Sequence, residues 1–138
     1  MLVKQLSVFI ENKEGHLAAI TRTLKEAGID LRALSVFDSA EFGILRMVAD
    51  DPYKAETLLK DAGHVVKMMD VLAVEPEDHV GAMNAIFETL GAAGVNVEYA
   101  YFSIMRQNGH ALPHVILKTS DDARAMQVLS DAGVIIAE

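Results

Sequence analysis

The chain repeats itself, and the repeat leaves few folds open to it. The run GHLAAITRTLKEAGIDL from Gly15 realigns on GAMNAIFETLGAAGVNV from Gly81, an offset of 66 (81 minus 15). Under that offset Leu17, Ile20, Leu24, Gly28 and Ile29 fall on Met83, Ile86, Leu90, Gly94 and Val95. Further on, DDPYKAETLLKDAG from Asp50 meets SDDARAMQVLSDAG from Ser120 at an offset of 70, which places Ala55, Leu58, Leu59, Ala62 and Gly63 on Ala125, Val128, Leu129, Ala132 and Gly133. The second copy thus carries four extra residues (70 minus 66), and they fall in the loop RQNGHALP between Gln107 and Pro113. Two copies in 138 residues leave about 70 for each, a size at which a lone unit buries little surface and gains by pairing.

Within a copy the hydrophobic periods alternate between two values. Leu6, Val8 and Ile10 alternate with Gln5, Ser7 and Phe9, as in a half-buried strand that ends at the polar turn Asn12 to Glu14. Leu17, Ile20, Leu24 and Ala27 recur at helical spacing, and Gly28 stops that helix. Strands over 30–38 and 42–49 follow, joined by a tight turn at Ser39 to Glu41. Asp50 or Asp51 caps a second helix with Pro52 in its first turn and Gly63 at its end, and a last strand begins at His64. No Gly or Pro interrupts HVVKMMDVLAVE before Pro76, so that strand runs straight into the second copy. The expected fold is α+β: two ferredoxin-like βαββαβ units, 1–72 and 73–138, side by side, with an antiparallel sheet and the helices on one face.

Composition narrows the function. A net charge of -8 repels nucleic acid and anionic lipid, which excludes DNA, RNA and membrane surfaces as partners. With no cysteine there can be no disulfide, thiolate metal site or cysteine nucleophile, and the cytoplasm fits best. The first residues reach Glu11 after a short apolar run and lack a small-residue cleavage site, so neither a signal peptide nor a membrane span is expected.

The residues that usually carry chemistry are scattered. His110 and His114 are four apart but enclose Ala-Leu-Pro, which cannot continue a helix, and His16, His64 and His79 stand on other segments, so surface or packing roles are expected and no metal. No pair of carboxylates sits in an apolar frame suited to acid-base work, and Ser7, Ser35 and Ser103 lie in strands without a nucleophile elbow. Met47, Met68, Met83 and Met126 fall at core positions. Gly15 and Gly81, each at a strand-to-helix junction, either bring a carboxylate close to free backbone N–H groups or simply serve a tight turn. Gly43 in the strand FGILRMV is open to two readings, a close backbone approach or a bulge.

The turn Asn12-Lys13-Glu14-Gly15-His16-Leu17, the helix exit Ala27-Gly28-Ile29-Asp30-Leu31 and the strand Phe42-Gly43-Ile44-Leu45-Arg46 together resemble an ACT domain. In the second copy Asp78-His79-Val80-Gly81-Ala82-Met83 takes the place of the turn, and Ala93-Gly94-Val95-Asn96-Val97 repeats the helix exit. Gly15 to Asp30 and Gly81 to Asn96 share a spacing of 15, and the resemblance covers essentially the whole chain. It implies a tandem ACT protein, an amino-acid-binding regulatory module that carries no catalytic residues and no cofactor and pairs as a homodimer. By resemblance the ligand contacts are Asn12, Gly15, His16, Leu17, Asp30 and Gly43 in one copy and Asp78, Gly81, Ala82, Met83 and Asn96 in the other. The family often has proline before the turn glycine, where this chain has Glu14 and Val80. A structural or partner-binding protein is the alternative, and a small enzyme a third, since a fold alone does not select a function.

Overall fold

The computed structural model describes residues 2–38 and 42–137. The turn expected at Ser39 to Glu41 lies outside them. Seven strands and four helices follow in the order β1 (Leu2–Glu11), α1 (His16–Glu26), β2 (Leu31–Asp38), β3 (Phe42–Ala49), α2 (Pro52–Asp61), β4 (Val66–Glu75), α3 (Ala82–Ala92), β5 (Val97–Gln107), β6 (His110–Thr119), α4 (Asp122–Asp131) and β7 (Ile135–Ile136). Contacts divide them into two compact units. One is Lys4–Met69, and the other takes in the chain from Asp70 onward together with its first residues. The division falls inside β4, which runs from Val66 to Glu75 without a break, as the absence of Gly and Pro there predicts.

In the unit Lys4–Met69, β1 pairs antiparallel with β3 and β3 with β2, while β4 flanks β1 on its other side, giving the order β4-β1-β3-β2. The alternation in β1 sends Leu6, Val8 and Ile10 to one face, where they meet Leu45 and Met47 of β3, Ile20 and Leu24 of α1, and Ala55 and Leu59 of α2. Both helices of the unit therefore cover the same face of its strands. Burying one such leucine contributes about 1.5–3 kcal/mol, so this cluster is what fixes the helices in place. Asp51 caps α2 by accepting the Lys54 N–H at 3.1 Å, with Pro52 in the first turn.

The second unit repeats the plan in the order β7-β4-β6-β5, with β4 antiparallel to both β6 and β7 and β5 antiparallel to β6. Its core joins Leu72, Val74, Val115 and Leu117 of the strands to Ile86, Leu90, Ala125 and Leu129 of the helices. Asp121 caps α4 through the Arg124 N–H at 3.0 Å, in the place that Asp51 takes in the first unit. Both units are thus antiparallel α+β folds of the ferredoxin-like kind. The four methionines expected at core positions pack there: Met47 is fully buried, and Met68, Met83 and Met126 pack against the clusters.

The four-residue insertion corrects one expectation, because it is not a loop. Ile104 pairs with Pro113 just as Asp38 pairs with Gly43, and beyond them β5 and β6 continue in register to Gln107 and His110. Asn108 (φ 51°) and Gly109 (φ 79°) close the hairpin in the left-handed region. A two-residue turn of this hand matches the right-handed twist of its strands, so Asn-Gly lengthens the hairpin and leaves no loop. His110 and His114 consequently share a face of one strand, but His114 is buried and donates its Nδ1–H to the Leu112 carbonyl at 3.1 Å, whereas His110 is exposed.

Candidate functional site

The turn after β1 and the far end of the β2–β3 pair enclose a pocket of about 140 Å³ in the first unit, lined by Asn12, Lys13, His16, Leu17, Val36, Asp38 and Gly43 among others. Each wall has a local cause. Gly15 precedes α1 in the left-handed region at φ 78°, a conformation open to glycine at no steric cost, and lets the chain turn from strand into helix within a few residues. No side chain caps that helix. The first intrahelical bond is Ala19 N–H to the Gly15 carbonyl at 3.0 Å, and the His16 N–H reaches only the Lys13 carbonyl at 3.4 Å. Leu17 and Ala18 therefore present N–H groups without a partner among the described residues, at the positive end of the helix dipole.

Gly43 sits in unbroken register between Ile10 of β1 and Asp38 of β2, and the irregularity of this sheet lies elsewhere, between Leu31 and Ala33. A Cβ at Gly43 would come within 3.1 Å of Ile10 Cγ1 and 3.3 Å of the Phe37 carbonyl. The register shows no bulge at Gly43, and the crowding there comes from Ile10 and Phe37.

Charges of both signs line this pocket. Lys13 Nζ stands 3.1 Å from Glu11 Oε2, and its hydrogen bond and charge hold the Glu11 carboxyl below the usual carboxylate range. Asn12 Nδ2 donates to Asp38 Oδ1 at 3.1 Å. The His16 ring turns back over the strand end, where its Nδ1 lies 3.1 Å from both the backbone nitrogen and the carbonyl oxygen of Glu11, and it lies beside the His64 ring with centroids 5.6 Å apart. Glu14 is exposed and is not among the lining residues.

Asn12, His16, Leu17 and Gly43 thus converge on one pocket. Asp30 does not join them. It lies beyond the other end of α1, about 16 Å along an 11-residue helix, in a shallow depression with Gly28 and Leu31. There its N–H donates to Asp50 Oδ1 at 3.0 Å, its carbonyl accepts the Asp50 N–H at 3.0 Å, and its carboxylate meets Arg32 Nη1 at 3.0 Å. Asn96 repeats the arrangement, exchanging backbone and side-chain bonds with Ser120 at 2.9 Å.

In the second unit Gly81 (φ 89°) starts α3 as Gly15 starts α1, and Asp78 and Gly81 are exposed. Met83 packs against the core. Ala82 lines a separate pocket of about 240 Å³ on the side of α4 and β7, with His79 at its rim. His79 Nδ1 lies 3.0 Å from the Val80 carbonyl and Nε2 2.7 Å from Glu77 Oε2, bonds that favour the protonated ring and raise its pKa above the ordinary histidine value.

Asp38 and Val36 were invisible as pocket residues in the sequence taken residue by residue. Their signal is the hairpin register, which sets Asp38 opposite Gly43. Among the described residues no group of three or more His, Cys, Asp or Glu is placed to hold a metal ion, and no helix is long and apolar enough to cross a membrane.

The fold and the glycine-started helices define a tandem of two ferredoxin-like α+β units with a small polar pocket at the first strand-to-helix turn. The chain belongs to the ACT domain pair family, whose profile it matches over residues 1–134. It is similar to a Bacteroides thetaiotaomicron protein of known crystal structure, with 35% identity and a TM-score of 0.88 over 99% of this chain and 92% of that one. The fold also resembles the regulatory subunit of aspartate kinase from Thermus thermophilus in its ligand-free form, at 14% identity and a TM-score of 0.65 over 95% and 93% of the two chains. The regulatory subunit of aspartate kinase from Thermus flavus is similar at 16% identity and a TM-score of 0.59, over 96% and 94%. None of the curated proteins matches this chain.

Proposed function

We propose that this protein is a cytoplasmic regulatory sensor that binds a small amino acid at its strand-to-helix turns and acts without catalysis. The observation that carries the reading is the convergence of Asn12, His16, Leu17 and Gly43 on one pocket that offers free helix N–H groups beside carboxylates. An α-amino acid needs donors for its carboxylate and acceptors for its ammonium group. The Leu17 and Ala18 N–H groups with Lys13 supply the first, and Asp38 and Glu11 the second. Gly81, Asp78 and Met83 would form the equivalent turn of the second unit. Asp30 does not reach the pocket of its own unit, because α1 separates them, so a second copy of the chain is the contributor we propose for Asp30 and Asn96.

A homodimer would meet that need. Supporting it, Phe9 and Phe37 flank Ile44 across three adjacent strands on the face away from the helices and are 49% and 59% exposed, an apolar surface that a second copy would cover. Light scattering at micromolar concentration should give twice the chain mass, and Phe37→Glu should return it to the monomer; a monomer mass for the unaltered chain would count against the pairing.

A melting screen over the common amino acids tests the sensing role. At roughly a hundred times its dissociation constant the right ligand stabilises the fold by about 2.7 kcal/mol, which for a chain of this size raises the melting temperature by several degrees. A curve unmoved by every amino acid leaves the partner-binding reading in front.

A further inference from the structure

The two units differ at one place where the repeat should make them alike. In the first unit the imidazoles of His16 and His64 lie together, 5.6 Å between centroids and tilted by 35°, in the corner between the start of α1 and the chain leaving α2. The offsets of 66 and 70 carry His16 to Ala82 and His64 to Val134. Both rings are lost there, and the second unit has in that corner the cavity of about 240 Å³ whose walls include Ala82, Ala85, Ile86, Val134 and Ile135.

Its chemistry is lopsided. One wall is aliphatic. The rim holds Glu75 and Glu77 against the single imidazole of His79, and neither lysine nor arginine is among the lining residues. The C-terminal end of α4, at Ala132 and Gly133, adds the negative pole of a helix dipole. The volume is below the several hundred Å³ of a site for a drug-sized molecule, so the occupant must be small.

We propose that this cavity is a second ligand site, distinct from the turn pocket of the first unit, which takes a small organic cation: a primary ammonium group on a short branched aliphatic body. The aliphatic part lies against Ile86, Val134 and Ile135, and the ammonium group faces Glu75 and Glu77. An aliphatic carboxylate of the same shape is disfavoured, because it would add negative charge beside Glu75 and Glu77, of which the His79 imidazole partners only Glu77. The site adjoins the turn at Gly81 through His79 and Ala82 and is separate from amino-acid binding at Gly15.

The probe is 3-methylbutylammonium, compared with 3-methylbutanoate and 3-methylbutanol by calorimetric titration of the full chain and by methyl NMR. The ammonium form should bind at least tenfold more tightly than either comparator and perturb the methyls of Ile86 and Ile135. Val134→His, which restores one ring of the first unit's plug, should weaken it tenfold or more, as should Glu75→Gln with Glu77→Gln. Equal affinity for the carboxylate, or binding unchanged by the rim double variant, would overturn the site. So would perturbations centred on Leu17 and Val36, which would place the probe in the turn pocket and leave the sensing role standing. If Val134→His does not fold, the methyl map on the unaltered protein and the rim variant decide.

Discussion

The side-chain amide of Asn12 donates to the carboxylate of Asp38 across 3.1 Å and so ties the turn after β1 to the end of β2 over the mouth of the turn pocket. Both groups are exposed, so the bond stabilises the fold only slightly. Its expected effect is on binding. Asp38→Ala should leave the melting temperature within a degree or two while lowering affinity for the amino-acid ligand about tenfold, near 1.4 kcal/mol. Calorimetric titration checks this, and an unchanged affinity would remove Asp38 from the site.

Gly15 and Gly81 can be separated from their neighbours by strain alone. A Cβ at either meets nothing within 4 Å, so alanine is not excluded by crowding, but φ of 78° and 89° places it in the left-handed region. Gly15→Ala and Gly81→Ala should each cost about 1–2 kcal/mol in urea unfolding. Gly43→Ala differs in kind, since its Cβ would press on Ile10 and Phe37. Its cost should fall when Ile10 is also shortened to Ala, which removes the Cγ1 and Cδ1 atoms it would meet, whereas Gly15→Ala should be indifferent to that change.

Asp122 links the end of β6 to the start of α4. Its carboxylate accepts from Thr119 Oγ1 at 2.6 Å and from Lys118 Nζ at 3.1 Å, and Thr119 is buried. Asp122→Ala leaves that hydroxyl without its acceptor and should cost about 1.5–3 kcal/mol by chemical denaturation. The hydrogen bond to Asp122 raises the Lys118 pKa, so the lysine's share of this stability is present below the ordinary lysine range and is lost as pH climbs through the raised value. Asp122→Asn, which keeps an acceptor for Thr119, should recover part of the loss.

His79 gives the second unit a pH dependence of definite sign. Its folded pKa is raised, first by the Val80 carbonyl and then by Glu77, so protonation favours the folded state. That contribution is complete below the unfolded histidine value of about 6.5 and disappears as pH rises through the folded value. The unaltered protein should therefore exceed His79→Gln in stability at about pH 5.5 and match it at about pH 8.5. The NMR titration midpoint of His79 should lie above the ordinary value; a midpoint below it would refute the geometry at Glu77.

What could be read from residues alone was whatever depends on neighbours in the chain. The duplicated runs from Gly15 and Gly81, the 3.6-residue spacing of Ile20 and Leu24, the aspartate pair Asp50 and Asp51 before the second helix and the unbroken β4 are all local signals, because periodicity, capping and turn chemistry act over a few residues. They sufficed for two βαββαβ units and for the glycine-started helices. The tertiary structure decided what depends on register and on packing between distant segments. Register turned the insertion around Asn108 and Gly109 into strand, set Asp38 opposite Gly43 and so brought a residue into the turn pocket that no motif marked. Helix length put Asp30 at the far end of α1 from that pocket, although the resemblance names both as ligand contacts. Packing set His16 against His64, 48 positions on (64 minus 16), while the matching corner with Ala82 and Val134 stayed open. Such distances follow only after every strand has found its partner, since a one-residue slip in register sends each side chain to the opposite face.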